Sequence, residues 1–351
     1  MGSKLRIAVV ANANSIHTIR WVKWLRKKKH EVTVFSLNEG EDCVYFGPEP
    51  ALDRSLIFNL GKNVRKTTSE LQSKINEFKP DIVHGFFLVN HGMYASRIEG
   101  YPKVMTAMGS DILIAPKESK LLSWIVKKAI KNSDSIFGPP LLVDEIEKWN
   151  LNTELNENII GIDCSIFKPS EKTKTIVFAR GFKEVYNPIV VSKAIEVLSS
   201  KLDNYEFILC GDGPLKPESE RILSYCKNVQ FTGQISETKL AEIIGKAELV
   251  LSPSLSDSIP LTILEAVASG TPVVASNIPA NQKWVDRKLP VFLFKTEDSE
   301  SLVEEILKVI KDDSILENTV KTGPNLIKEK YRWEKEAEKV LKKYVDLVTS
   351  N

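Results

Sequence analysis

The chain has little of what metal centres and disulfide scaffolds require. It contains 4 cysteines and 4 histidines in 351 residues. Cys43, Cys164, Cys210 and Cys226 are scattered and show no Cys-x-x-Cys spacing, which argues against zinc and against a fold stapled by disulfides. Sparse cysteine fits a reducing cytoplasm. No Asp-x-Asp occurs, so no carboxylate pair is marked out for a divalent cation. The loop after the first strand, Asn12-Ala-Asn-Ser-Ile-His17, lacks the Gly-x-Gly-x-x-Gly of dinucleotide dehydrogenases, which counts against a redox enzyme. No apolar run approaches the ~18 residues of a membrane span, and the run at 5–11 is too short for a signal-peptide core. A formal net charge of +2, from 48 basic and 46 acidic residues, is too small to make nucleic acid the main partner. The expected location is the cytoplasm, with any membrane contact peripheral.

What is present is an alternation of short apolar runs and helical stretches, the pattern of parallel sheets built from βαβ units. In the first half, strands are expected at 5–11, 31–36, 81–84, 103–107 and 135–137. Helices are expected at 15–29, 70–78 and 121–131. A Gly-Ile-Asp-Cys-Ser-Ile-Phe-Lys-Pro stretch and a charged run mark a hinge near 159–174. Strands resume at 175–179, 205–210, 229–232, 248–251, 272–275 and 291–294. Residues 331–348 form an amphipathic helix with Trp333, Ala337, Val340, Leu341, Tyr344 and Leu347 near one stripe. The helix at 15–29 carries Arg20, Lys23, Arg26, Lys27, Lys28 and Lys29 beside Ile16, Ile19, Val22 and Leu25. It reads either as a solvated outer helix or as one that lies on anionic lipid.

The most informative segment is 249–276. A strand runs into a polar turn carrying Asp257. A short helix follows, with Pro260 near its first turn and Gly270 at its stop, and then a second strand. Amides at the start of that helix suit an anion such as phosphate. Glu265 lies about one turn further in, where ribose hydroxyls would sit. Arg180 closes the strand 175–179 and is followed by Gly181 and Lys183, cations placed for a diphosphate. Gly211-Asp212-Gly213-Pro214 is a glycine turn at another strand end, readable as a ligand loop or simply as a tight turn.

Asp257 and Glu265, with seven residues between them, together with Leu264-Glu-Ala, Ser269-Gly-Thr-Pro-Val-Val and Ile278-Pro-Ala-Asn281, resemble the retaining glycosyltransferases of family 4. The resemblance implies a GT-B fold, with two Rossmann-like doubly wound parallel-sheet domains facing a central cleft. Residues 1–165 would be the acceptor domain and 166–330 the nucleotide-sugar donor domain, with a helix at 331–351 packing back on the first. It implies metal-independent transfer of a sugar from a nucleotide-diphosphate donor to a glycan, lipid-linked or protein-linked acceptor, with no cofactor, at the cytoplasmic face of a membrane.

Carried over residue by residue, Arg180 would neutralise the leaving diphosphate, with Lys183 standing near the family's lysine position and the amides of Ile259, Leu261 and Thr262 around the helix start at Pro260. Glu265 would bind the ribose. Gly211, Gly213, Thr232 and Gly233 would border the base, and Asp257 would hold sugar hydroxyls or steady the oxocarbenium-like centre. The chain departs from the family pattern at three points: Asp257 replaces the usual Glu, Met108 replaces a His that faces the sugar, and Val185 and Tyr186 fill the positions of the phosphate Lys. Asp111 is the nearest polar candidate for sugar or acceptor, or a helix cap. His17, in the first turn of the helix after the first strand, and His84, at another strand end, are acceptor-side candidates or structural histidines. A sugar-nucleotide 2-epimerase and an inactive nucleotide- or glycan-binding homologue remain as alternatives.

Overall fold

The computed structural model describes residues 4–48 and 55–350. The chain divides into two compact units, Met1–Ile160 with Glu336–Asn351, and Gly161–Lys335. The division falls at Ile160/Gly161 rather than 165/166, because the chain there is pinned to a distant stretch. Ile162 N donates to Tyr331 O (2.9 Å) and Trp333 N donates to Ile162 O (2.9 Å). Gly161 sits at φ +75°, where a Cβ would lie 2.7 Å from Trp333 Cα, so only glycine allows this approach.

The first unit holds seven parallel strands: β1 (Arg6–Val10), β2 (Glu31–Ser36), β3 (Cys43–Tyr45), β4 (Ile82–Phe86), β5 (Lys103–Thr106), β6 (Ser135–Gly138) and β7 (Glu154–Glu157), in the order β3-β2-β1-β4-β5-β6-β7. Central strands such as Arg6-Ile-Ala-Val-Val10 are covered on both faces and so are written as unbroken apolar runs. The two strands missing from the sequence expectation, β3 and β7, are the sheet's edges. Paired on one side only, both are short: β3 is the three residues Cys-Val-Tyr, and β7, Glu-Leu-Asn-Glu, carries no apolar run to read.

The last helix, Trp333–Thr349, contributes its residues from Glu336 onward to this unit. Glu336, 2% exposed, accepts from Ile159 N (3.1 Å) and Asn158 Nδ2 (3.1 Å) and pairs with Lys339. Tyr344 is fully buried against Trp21, edge to face, and its hydroxyl bonds His84 Nδ1.

The second unit is a six-stranded parallel sheet: β8 (Thr173–Ala179), β9 (Glu206–Cys210), β10 (Val229–Gly233), β11 (Ala247–Ser252), β12 (Val273–Ser276) and β13 (Val291–Phe294), in the order β10-β9-β8-β11-β12-β13. The helix Leu261–Ala268 connects β11 to β12, burying Ile263, Leu264, Ala266 and Val267, and Gly270 at φ +69° ends it in the left-handed conformation. Where β8 begins, Lys172 Nζ donates to Gly245 O (3.0 Å), Ser269 O (3.0 Å) and Thr271 Oγ1 (2.6 Å), capping carbonyls at the ends of two helices with one cation.

Candidate functional site

Four loops follow the carboxyl ends of β10, β9, β8 and β11, which are neighbours in the second sheet. In sheets of this kind ligands collect at that edge. The loops are tied to each other: Gly211 N donates to Gly233 O (2.8 Å), Phe182 N to Asp212 O (3.0 Å) and Leu255 N to Val185 O (2.8 Å). The glycines of the Gly211–Pro214 turn are required by this packing. A Cβ on Gly211 (φ +110°) would lie 2.8 Å from Arg180 O, and one on Gly213 would lie 2.6 Å from Phe182 O. The close approach is therefore to the neighbouring Arg180–Phe182 backbone. Gly233 differs, with φ +67° and open space around its Cβ direction; beside it, Thr232 Oγ1 donates to Gly233 O (2.9 Å).

Arg180 and Asp257 meet at this edge. Arg180 Nη2 donates to Asp257 Oδ2 at 2.5 Å, with the side chains only 13% and 12% exposed. The other Asp257 oxygen accepts from the amides of Ser258 (2.8 Å) and Ile259 (3.1 Å), which fixes the turn into the helix. Arg180 is held on a second side by the Tyr186 ring, 4.2 Å from its guanidinium carbon, and Nη1 reaches Thr262 Oγ1 at 3.5 Å. Its buried Nε has no hydrogen-bond partner among the described residues. Arg180 thus has a donor that its ion pair does not use, although that nitrogen is itself buried.

The helix itself starts at Leu261, with Pro260 as N-cap and no side chain capping it. Its first amides are partly engaged already, Leu261 N with Ile259 O (2.9 Å) and Ile263 N with Pro260 O (2.9 Å). Glu265 is half-buried on the second turn. Lys183 is exposed before a 3₁₀ turn, Glu184–Tyr186. In the sequence, Tyr186 stands out only as a missing lysine. Its one signal is an aromatic residue six positions after an arginine at a strand end.

In the first unit, a pocket of about 270 Å³ opens beyond β1, β4 and β5, lined by Asn12, His17, Phe86, Phe87, Asn90 and His91, with Met108 also on its wall. Two expectations are corrected here. Asp111 is wholly buried and does not face a ligand. Its carboxylate accepts from Leu88 N (3.0 Å), Met108 N (3.1 Å) and Gly109 N (2.8 Å). Burial raises its pKa, and those amides pull it back. It is a clamp joining two walls of the pocket.

His84 is likewise buried, bonded to Thr106 Oγ1 (2.8 Å) and to the Tyr344 hydroxyl, and desolvation lowers its pKa to about 3. It serves the docking of the last helix, not an acceptor. His17 does line the pocket, half-buried, its pKa lowered by desolvation and by nearby Arg20. His91, which carried no signal in the sequence, accepts from Leu37 N through Nε2 (3.2 Å), and burial lowers its pKa to about 4.

The family description "Glycosyl transferases group 1" matches residues 165–326, and "Glycosyl transferase 4-like" matches residues 6–138. Sulfoquinovosyl transferase SQD2 of Arabidopsis thaliana is 24% identical over 89% of this chain, and a putative teichuronic acid biosynthesis glycosyltransferase, TuaC, of Bacillus subtilis is 25% identical over 67%. The chain spans 66% and 62% of those two relatives' lengths. Among solved structures, Anabaena Alr3699/HepE in complex with UDP aligns with a TM-score of 0.78 at 14% identity, covering 98% of this chain and all (100%) of that one.

Proposed function

The chain belongs to the group 1 glycosyl transferases of family 4, with their GT-B fold, and from that premise we propose that it transfers a sugar from a nucleotide-diphosphate donor to a glycan, lipid-linked or protein-linked acceptor, with retention and without a metal. The observation that carries this reading is the Arg180–Asp257–Thr262 cluster at the head of the Leu261–Ala268 helix. As the glycosidic bond breaks, negative charge develops on the leaving diphosphate. A guanidinium and a helix amino terminus are placed to stabilise it. Glu265, about 6 Å along the helix at ~1.5 Å per residue, would hold the ribose. The pocket beyond β1 and β4, with aromatic walls and Asn12, His17 and Asn90, would take the acceptor sugar. Presentation of that acceptor at a membrane surface is part of the same reading.

Uridine diphosphate is the first nucleotide to test, because the structurally similar HepE is described in complex with UDP. In a thermal-shift panel of nucleoside diphosphates and their sugars, at least one should raise the melting temperature, and prolonged incubation with the matching sugar donor should release nucleoside diphosphate. Stabilisation without any release would leave a nucleotide-binding homologue. Conversion of the donor sugar without an acceptor would indicate an epimerase.

A further inference from the structure

The pocket beyond β1, β4 and β5 is bare of charge. Among the described residues that line it none is Asp, Glu, Lys or Arg, in a chain where 27% of residues are charged. The next cavity along the helix Ile16–Lys27 is the contrast: it measures about 610 Å³ and carries Lys23, Arg26, Glu41 and Asp42 on its walls. The two histidines of the uncharged pocket are neutral as well. Burial and the nearby Arg20 hold His17 below the usual histidine range, and burial brings His91 down to about 4. Asp111, three residues past Met108, is wholly buried, and its carboxylate is already taken up by three backbone amides.

The lining divides into two kinds. Phe86, Phe87 and Met108 are half-buried and make an apolar wall. Phe87 stands at φ +61°, a left-handed conformation that a bulky side chain rarely takes. Its carbonyl is held there by the amides of Asn90 (3.3 Å) and Gly92 (3.0 Å). Strain of this kind collects at ligand sites. Asn12 and His17 supply the polar side. Asn12 Oδ1 accepts from Asn14 N (2.9 Å), which leaves its Nδ2 unengaged, and no hydrogen bond among the described residues occupies the His17 ring. A neutral imidazole offers one donor and one acceptor.

We propose that this pocket holds an uncharged sugar ring and refuses uronic acids and sugar phosphates. One C–H face or a methyl-bearing substituent lies against Phe86, Phe87 and Met108, with hydroxyls towards Asn12 and His17. At about 270 Å³ the cavity is at the lower edge of ligand pockets, which run from about 300 to 1,000 Å³, so it takes one ring rather than a chain. An anionic sugar would bring its carboxylate or phosphate out of water to a wall with no counter-charge. A hydroxyl in the same place finds a neutral donor and acceptor. The inference rests on the acceptor reading above and narrows it: whatever carries the acceptor, its receiving end is a neutral saccharide.

The test is saturation-transfer NMR of the full chain, with UDP present. The probes are the methyl glycosides of glucose, galactose, mannose and N-acetylglucosamine, set beside methyl glucuronide, methyl galacturonide and the four 6-phosphates. At least one neutral glycoside should bind, with saturation strongest on its ring C–H or methyl protons. Its anionic counterparts should bind at least ~10-fold more weakly. Met108→Lys puts a cation on the apolar wall and should reverse that order. Ser15→Lys does the same from a side chain that caps nothing, so a second variant stands if the first fails to fold. Either should retain the native response to UDP.

An anionic sugar bound as tightly as its neutral counterpart, no binding of any neutral glycoside, or an unchanged order in the folded lysine variants would each overturn the proposal. With UDP still stabilising the chain, such a failure strikes this inference alone. Absence of a response to any nucleotide would strike the donor reading and not the pocket.

Discussion

Arg180 and Asp257, 77 positions apart, form one ion pair at the carboxyl edge of the second sheet, and each is also fixed by other groups. The aspartate is oriented by two amides, and the arginine rests on Tyr186 and reaches towards Thr262. In a donor complex the diphosphate and the Asp257 carboxylate would compete for the same guanidinium.

That competition separates the two residues experimentally. Arg180→Ala should weaken UDP binding and lower sugar transfer by about 10²- to 10³-fold, the usual cost of one preorganised charge donor. Asp257→Asn should also abolish most transfer, yet bind UDP as tightly as the native protein or severalfold tighter, because the competing charge is gone. Calorimetric titration with UDP decides the matter; equal weakening by both substitutions would refute the competition.

Acid should destabilise the first unit. His84 and His91 are buried neutral, with pKa values lowered from 6.5 to about 3 and about 4. Between those values and 6.5 the unfolded chain takes up protons that the folded one does not, so their contribution is complete above about pH 6.5 and is lost as pH falls through that window. A protonated His91 could no longer accept from Leu37 N, and a protonated His84 would carry its charge wholly buried. Melting temperatures measured at pH 7.5, 5.5 and 4.5 should fall steadily. Tyr344→Phe, which removes one hydroxyl partner of His84, should lower stability by about 1–3 kcal/mol at neutral pH.

Gly211→Ala tests the loop packing. An alanine at φ +110°, with its Cβ 2.8 Å from Arg180 O, forces the backbone that carries Arg180 to move. Stability should fall by about 1–3 kcal/mol, and the KM for the sugar donor should rise. Gly233→Ala, with open space at that Cβ, should disturb donor binding less, although its φ of +67° still costs about 1 kcal/mol. Equal effects of the two substitutions on donor KM would mean that the Gly211 contact does not position Arg180.

Much of the architecture was legible because strands covered on both faces spell themselves as apolar runs, such as Leu249-Val-Leu251 and Val273-Val-Ala275. The edge strands Cys43–Tyr45 and Glu154–Glu157 were not, since pairing through backbone bonds on one side makes no demand on side chains. Strand ends likewise marked Arg180 and Asp257. They misdirected Asp111 and His84, because a residue's place at a strand end does not say whether its side chain turns to solvent or back into the protein. His91 was silent for a different reason: its partner, the Leu37 amide, is 54 residues away, and no local pattern encodes such a bond.

The closing helix has a further consequence for how the chain comes into being. His84 emerges early in synthesis, but the tyrosine that covers it is made 260 residues later. Until positions beyond Glu336 exist, the first sheet carries an open apolar groove beside Trp21. The first unit is therefore complete only after the whole of the second has been made.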